Sequence, residues 1–467
     1  MFFICSICKY DGYFIFLPLD FNGYDMLLRL IVENIASFKD AVEFNTFPSS
    51  RSQNHENHKI RCGHATALRL SAIYGANGAG KSNLLKSLAL LKQLIVQESL
   101  QRYPLGENLA FKIDPAYLKK PSGIAIEFCN GKRIYYYHIE FDSSQVILEE
   151  LFLSGKTKDE PIFTREGSKI RIYEDYFANG TNEQFVDGLQ RLLRPDMLLL
   201  PLVGKYYPKE FPDIASSYIW FVDKLQIVAP NALPFTMPHA IDIDKEFETL
   251  VNVIIPEMKT GISRLKVTKE DIEEEKVEPG SRLSKAIAEA KQNPDIPQPM
   301  FGNNAGEVYN VVYEQGRIRI KTLMAVHVDV NGNMIETPLT IESDGTRRII
   351  EYMPLLYAIT RNDAIYVVDE IERSIHPIMI KDIIRKISAS NDAKGQLIFT
   401  THESALLDHG IFRPDEIWFA QKDTEQATQL YPLSDFNIHR TANIENGYLN
   451  GRYGGIPFLS NLKDLNW

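Results

Sequence analysis

Cysteine is scarce in this chain: Cys5, Cys8, Cys62 and Cys129 are the four among 467 residues. So few cannot staple a fold of this size, and a reducing, cytoplasmic setting is expected. Cys5 and Cys8 form a C-x-x-C and Cys62 stands two residues before His64. The second C-x-x-C or H-x-x-x-H half that a zinc site needs is missing, so none is expected. No stretch reaches the ~20 apolar residues of a membrane span, so no membrane partner is expected. A basic surplus is absent too: 51 Lys and Arg stand against 61 Asp and Glu, a net charge of −10. That argues against a surface devoted to coating DNA or anionic membrane, though a local basic groove remains compatible with it. Sustained heptads and internal repeats are also lacking, which excludes a long coiled coil.

The composition is otherwise that of a globular protein, with 44% apolar and 24% charged residues. The first 25 residues are apolar and aromatic but lack the basic start of a signal peptide, and Lys9, Asp11 and Asp20 interrupt them. Met26 then opens an amphipathic strand. Residues 1–25 therefore read as a non-core extension, with Met26 as the natural start. Residues 26–153 read as a first lobe, with strand-like runs at Leu27–Glu33, Leu68–Tyr74, Gly123–Phe128, Ile134–Phe141 and Val146–Leu153. A helix is predicted over Lys81–Gln97. Residues 154–337 are mixed and read as an insertion. Its charged run Lys269–Lys276 reads as a solvated face or loop, followed by a helix at Ser281–Lys291. Residues 338–467 read as a second lobe. It holds a helix Thr346–Ile359 kinked at Pro354, a buried strand Ala364–Val368, a helix Pro377–Ser388 and a strand Gln396–Thr400, then a loop-like tail from Ala442. The expected fold is α/β, with a mostly parallel core sheet plus an antiparallel β lobe and a partly helical insertion.

The strongest chemical signal is Gly75-Ala-Asn77-Gly78-Ala79-Gly80-Lys81-Ser82, which fits G-x-x-x-x-G-K-S between an apolar strand and a helix. Glycines let the backbone N–H groups curl around phosphates, and the helix start adds its positive dipole end. Lys81 suits the β- and γ-phosphates of ATP, and the Ser82 hydroxyl suits Mg2+. A chance glycine turn is the alternative, but strand, spacing, Lys and Ser all fit. Ala364-Ile-Tyr-Val-Val-Asp369-Glu370 ends an apolar strand in two acids. Strands often end so. After a phosphate loop, Asp369 is the expected metal residue and Glu370 the general base.

Asp369 lies 288 residues beyond Lys81. That gap points to a core interrupted by inserted material. Ser343-Asp-Gly345-Thr-Arg-Arg precedes a helix. It suits either an anion site offered to another subunit's γ-phosphate or a plain helix cap at Ser343 or Asp344. His402 follows the strand Gln396–Thr400 and suits a γ-phosphate sensor, against a structural histidine. Arg373 and His376 suit inter-subunit contacts, against a solvated loop. The turn Asn34–Lys39 could approach ribose or base, or be an ordinary strand end.

Taken together, N-I-A-S-F-K-D, GANGAGKSN, S-D-G-T-R-R, V-V-D-E-I-E-R-S-I-H-P, Q-L-I-F-T-T-H-E-S and the tail Tyr448-Leu-x-Gly451-Arg452-Tyr453-Gly454-Gly-Ile-Pro457 resemble one family. It is that of the ABC-type AAA ATPases of bacterial anti-phage defence, similar to RecF and SMC heads and to PARIS and abortive-infection subunits. The resemblance spans Met26 to about Leu459, with a looser middle. It implies an ATP- and Mg2+-dependent ATPase that pairs head to head with itself or builds a larger homo-oligomer. It also implies a sensor or scaffold role controlling an effector encoded nearby, a TOPRIM-type or other nuclease or a toxin, with DNA or a phage protein as trigger. Lys81, Ser82, Asp369, Glu370 and His402 then take the catalytic roles. Gly75, Asn77, Gly78, Ala79, Gly80 and Asn83 line the nucleotide, and Ser343 and Gly345 act in trans. S-D-G-T departs from the S-G-G-Q of transporters, which implies slow or partner-gated hydrolysis. A RecF- or SMC-like repair ATPase binding DNA ends or gaps is the alternative.

Overall fold

The computed structural model describes residues 23–101, 109–177, 183–230, 236–294, 296–301, 308–361, 364–439 and 442–456. The leader through residue 22, with Cys5 and Cys8, and the tail from Pro457 onward lie outside the described residues.

The fold is α/β, as the pattern of strands and helices predicts. Two compact units are present. Among the described residues the larger takes those within 23–227, 361–371 and 381–456, and the smaller those within 228–360 and 372–380. The sequence pattern changes character at 153/154 and 337/338, whereas the main unit boundary in the chain falls at 227/228.

Among the described residues the larger unit holds two large sheets and a two-stranded pair, Lys59–Cys62 with Ala65–Leu68. One is a six-stranded sheet ordered Leu225–Val228, Ile365–Val368, Gln396–Thr400, Leu70–Gly75, Ile417–Lys422, Thr428–Pro432. Its middle four strands run parallel, and Thr428–Pro432 returns antiparallel. Leu70–Gly75, Ile365–Val368 and Gln396–Thr400 are buried throughout, which is why they read as mostly apolar runs. The second sheet is seven-stranded, ordered Lys169–Ile172, Glu160–Glu166, Val146–Leu153, Arg133–Phe141, Ser122–Asn130, Met26–Glu33, Val42–Asn45. Its paired strands are antiparallel throughout. The helix Lys81–Gln97 contributes Leu84, Leu88, Leu91, Leu94 and Ile95 to the core these elements share.

A buried side chain ties the two sheets. Gln396, opening its strand, accepts from Leu27 N at 2.8 Å and donates to Leu27 O at 3.0 Å and Leu68 O at 2.9 Å. It thereby bonds three buried backbone groups, of which Leu27 O also accepts from the Thr46 hydroxyl at 2.7 Å.

The smaller unit is built on an antiparallel sheet ordered Arg264–Asp271, Arg317–Val328, Val308–Glu314, Gln298–Phe301, with Met334–Pro338 also on Arg317–Val328. The helix Arg282–Gln292 packs on it through Ile287 and Ala290. The charged run expected as a solvated face or loop is in part strand, since Lys269–Asp271 end the first of these strands. The cause is pairing: Lys269, Glu270 and Asp271 stand opposite Lys321, Ile320 and Arg319, so the backbone is held, while Asp271 pairs with Arg319 across the strands and Lys269 with Asp242.

The helix predicted over 346–359 is two helices, Asp344–Glu351 and Met353–Arg361, broken at Tyr352. Pro354 lacks an N–H and sits in the first turn of the second, where none is needed. Among the described residues the tail contains one short helix, Ile444–Leu449, capped by Asn443.

Candidate functional site

Three parallel strands deliver their C-terminal ends to one place. Leu70–Gly75 runs into the loop Ala76–Gly80 and the helix from Lys81; Ile365–Val368 runs into Asp369 and Glu370; Gln396–Thr400 runs into His402. Parallel strands put their ligand-binding ends on a common edge.

Lys81 curls back over the loop. Its Nζ donates to Gly75 O at 2.7 Å and Ala76 O at 3.2 Å, and contacts His402 Nε2 at 3.0 Å. An ammonium can only donate, so a hydrogen bond here takes Nε2 as the acceptor. Lys81 is 5% exposed, while His402 is exposed at the rim. Ser82 Oγ donates to Asp369 Oδ1 at 3.0 Å. Residues 287 apart in sequence thus touch directly.

The loop is shaped by its glycines. Gly80 has φ +107, and a Cβ there would lie 2.1 Å from Thr428 Oγ1 and 2.8 Å from Ser37 Oγ. A Cβ on Gly78 would meet nothing within 4 Å, so that side of the loop is open. Behind the loop, Thr428 Oγ1 bonds Ser37 Oγ at 2.8 Å and Ala79 O at 2.9 Å, and Asn83 Nδ2 donates to Ser37 Oγ at 2.8 Å. Asn83 and Ser37 therefore brace the loop from beneath. Asn77 is exposed at its tip, and Ala79 is buried within it. Lys39 of the same turn bonds Glu425 and Asp114, each at 3.1 Å, and its ammonium is held well above its ordinary value by those two partners.

The tail also reaches this loop. Tyr448 stacks on Phe419 at 5.6 Å and meets Tyr74 edge-on at 5.7 Å. A Cβ on Gly455 would stand 3.7 Å from Gly75 Cα.

At the acid pair, Glu370 adopts φ +51, left-handed for a residue with a side chain. Its N–H donates to Thr400 Oγ1 at 2.8 Å, and the same hydroxyl donates to Asp369 Oδ1 at 2.5 Å.

Ser343 and Gly345 belong to the smaller unit. Ser343 is the N-cap of Asp344–Glu351, and its Oγ accepts from Thr346 N at 3.1 Å. A Cβ on Gly345 would lie 2.6 Å from Ser374 O, so this glycine lets the helix start approach the Glu372–His376 loop. Arg348 pairs with Glu351 at 3.0 Å and stacks on Tyr352, and burial pushes the Glu351 carboxyl up and the Tyr352 phenol up to about 12. Arg373 and His376 are exposed.

Thr428 and Thr400 were not predicted as functional. Thr428 carries no local signal: a threonine in a strand is ordinary. Thr400 had one, a hydroxyl ending the strand beside the acid strand. Among the described residues no cluster of three or more His, Cys, Asp or Glu is placed to hold a metal by itself. The Ser82–Asp369 pair suits a cation whose other ligands are phosphate oxygens and water. Lys81, with carbonyls and an imidazole among its partners, suits the anion. No helix of the described residues is long and apolar enough to cross a membrane.

Residues 70–408 match the family model described as "AAA domain, putative AbiEii toxin, Type IV TA system". No curated protein matches the chain. Among solved structures, similar ones include an SMC head bound to the C-terminal winged-helix domain of ScpA, at 13% identity, covering 87% of this chain and 97% of that one, with TM-score 0.43. The SMC head domain from Thermotoga maritima is similar at 11% identity, 88% and 99% coverage and TM-score 0.37. An SMC head with an extended coiled coil, bound to the C-terminal domain of ScpA from Pyrococcus furiosus, is similar at 13% identity, 87% and 96% coverage and TM-score 0.38.

Proposed function

The chain belongs to the family described as "AAA domain, putative AbiEii toxin, Type IV TA system", and from that premise we propose that it binds ATP with Mg2+ and hydrolyses it. The observation that carries this reading is the direct contact of Lys81 with His402 and of Ser82 with Asp369 at one sheet edge. In this reading the loop amides and Lys81 hold the phosphates. Asp369 and Ser82 hold the metal, which neutralises phosphate charge. Glu370 takes a proton from the attacking water, and His402 reads the γ-phosphate. Products are ADP and inorganic phosphate.

The half-site needs a complement. The Ser343 cap and the backbone at Gly345, offered by a second copy, supply N–H groups of the kind that favour an anion. ATP then joins two chains head to head, and the assembly controls a partner effector, a nuclease or toxin of a phage-defence system, in the cytoplasm. The family's description favours a second reading, in which this chain is itself the toxic component. Expression of the chain alone, and then with its genomic neighbour, separates the two: arrest by the chain alone supports the second.

Phosphate release and light scattering test the first. Glu370→Gln is expected to bind ATP, release no phosphate and accumulate as a dimer or larger assembly, while Lys81→Ala loses ATP binding. Undiminished phosphate release by Glu370→Gln would overturn the assignment.

A further inference from the structure

We propose that Thr400 is a positioning residue of this ATPase site: its one hydroxyl sets the Asp369 carboxylate and locks the backbone of Glu370. The inference rests on the ATPase reading above and adds to it a residue on which both acids depend.

A hydroxyl has one proton to give and lone pairs to receive. Thr400 gives its proton to Asp369 Oδ1 at 2.5 Å and receives the Glu370 N–H at 2.8 Å. Both acids of the pair are therefore tied to one atom. That atom is itself immobile. Thr400 is fully buried and ends a strand paired on both sides, to Ile365–Val368 and, through Thr400 opposite Ile73, to the phosphate-loop strand. Its carbonyl accepts from Ile371 N at 3.1 Å, closing the turn around Glu370 from the far side.

Glu370 needs such a hold. At φ +51 it occupies backbone space that side chains avoid, and such a conformation persists only where the surroundings over-determine it. Two bonds to one threonine, at the N–H of Glu370 and the N–H of Ile371, supply that constraint. Asp369 Oδ1 also receives the Ser82 hydroxyl at 3.0 Å, so Thr400 indirectly sets the spacing between the two residues that would hold the metal. The consequence is a shared control: removing one buried hydroxyl disturbs the metal side and the water side together.

Valine matches threonine in shape and lacks the hydroxyl, whereas serine keeps it. The experiment compares wild type, Thr400→Val and Thr400→Ser in three measurements: phosphate release against ATP concentration, Mg2+ titration of that turnover, and binding of a fluorescent methylanthraniloyl-ATP. Thr400→Val is expected to lower kcat by about 10- to 100-fold, the scale of a catalytic group displaced by about an ångström. Its affinity for the fluorescent nucleotide at saturating Mg2+ stays within about twofold of wild type, and its Mg2+ half-saturation rises several-fold. Thr400→Ser restores kcat to within about threefold. If wild-type turnover is too slow to follow, the Mg2+ half-saturation of nucleotide binding gives the same comparison. A threonine that merely fills space predicts unchanged Mg2+ dependence and no advantage of Ser over Val; either result overturns the inference while leaving the ATPase reading standing. A wild-type chain that binds no nucleotide defeats that reading itself, and this inference with it.

Discussion

Replacing Gly80 by alanine tests whether the phosphate loop is seated on Thr428 as the distances require. The new Cβ lies 2.1 Å from Thr428 Oγ1 and 2.7 Å from its Cγ2, at a backbone φ of +107. The left-handed conformation costs about 1–2 kcal/mol for a residue with a Cβ. Forcing a methyl into filled space costs about 1–3 kcal/mol more. Gly80→Ala is therefore expected to destabilise by about 2–5 kcal/mol. Thr428→Ala removes the two nearest of the three opposing atoms, leaving Ser37 Oγ, and loses the hydroxyl bonds to Ser37 Oγ and Ala79 O, at about 1–2 kcal/mol. In the double variant the two closest contacts are gone while the Ser37 Oγ contact at 2.8 Å and the φ strain remain, so its cost falls short of the sum by about 1–3 kcal/mol. Urea unfolding of the four proteins, followed through Trp220 and Trp418, both buried in the same unit, measures this coupling. Additivity within about 0.5 kcal/mol would refute the steric account of Gly80.

Three further outcomes are expected. Gln396→Leu strips the side-chain bonds from Leu27 N and Leu68 O, each worth about 1–3 kcal/mol when lost, while Leu27 O keeps the Thr46 hydroxyl, and should lower urea stability by about 3 kcal/mol overall. Gly345→Ala meets the Ser374 carbonyl and should cost about 1–3 kcal/mol of stability, while nucleotide affinity of the separate chain, set by the larger unit, stays unchanged in fluorescent-ATP titration. His239, desolvated and facing Lys321 and Lys269 as well as Glu314 and Asp242, has its pKa held below the ordinary 6.5. The unfolded chain then takes up this proton before the folded one, so stability is lost as pH falls below 6.5. His239→Asn should flatten that part of the melting temperature profile.

The phosphate loop was legible because its signal is local: glycines, Lys81 and Ser82 must stand side by side in sequence to stand around one phosphate. The strand ending in Asp369 was legible because a parallel strand covered on both faces reads as an unbroken apolar run. The helix break at Tyr352 was read only as a kink, since Pro354 marks a disturbance without saying whether the chain resumes its axis. The sheet that extends past Leu153 through Glu160–Glu166 and Lys169–Ile172 was missed. These strands are short and charged, and their pairing, not their propensity, makes them strands. Thr428 and Gln396 were illegible for a further reason. Their roles depend on Gly80 and Leu27, 348 and 369 positions away, and no period or motif connects such pairs.

The placement of the strand Leu70–Gly75 also bears on how the protein is made. Both of its neighbours in the sheet, Gln396–Thr400 and Ile417–Lys422, lie more than 300 residues further along the chain. During synthesis at about 5–20 residues per second, this fully buried strand therefore waits tens of seconds for its partners. Throughout that interval it is an unpaired sheet edge of the kind that aggregates. The growing chain has its phosphate loop early and its nucleotide site late, and a chaperone that shelters Leu70–Gly75 would act in the gap between the two.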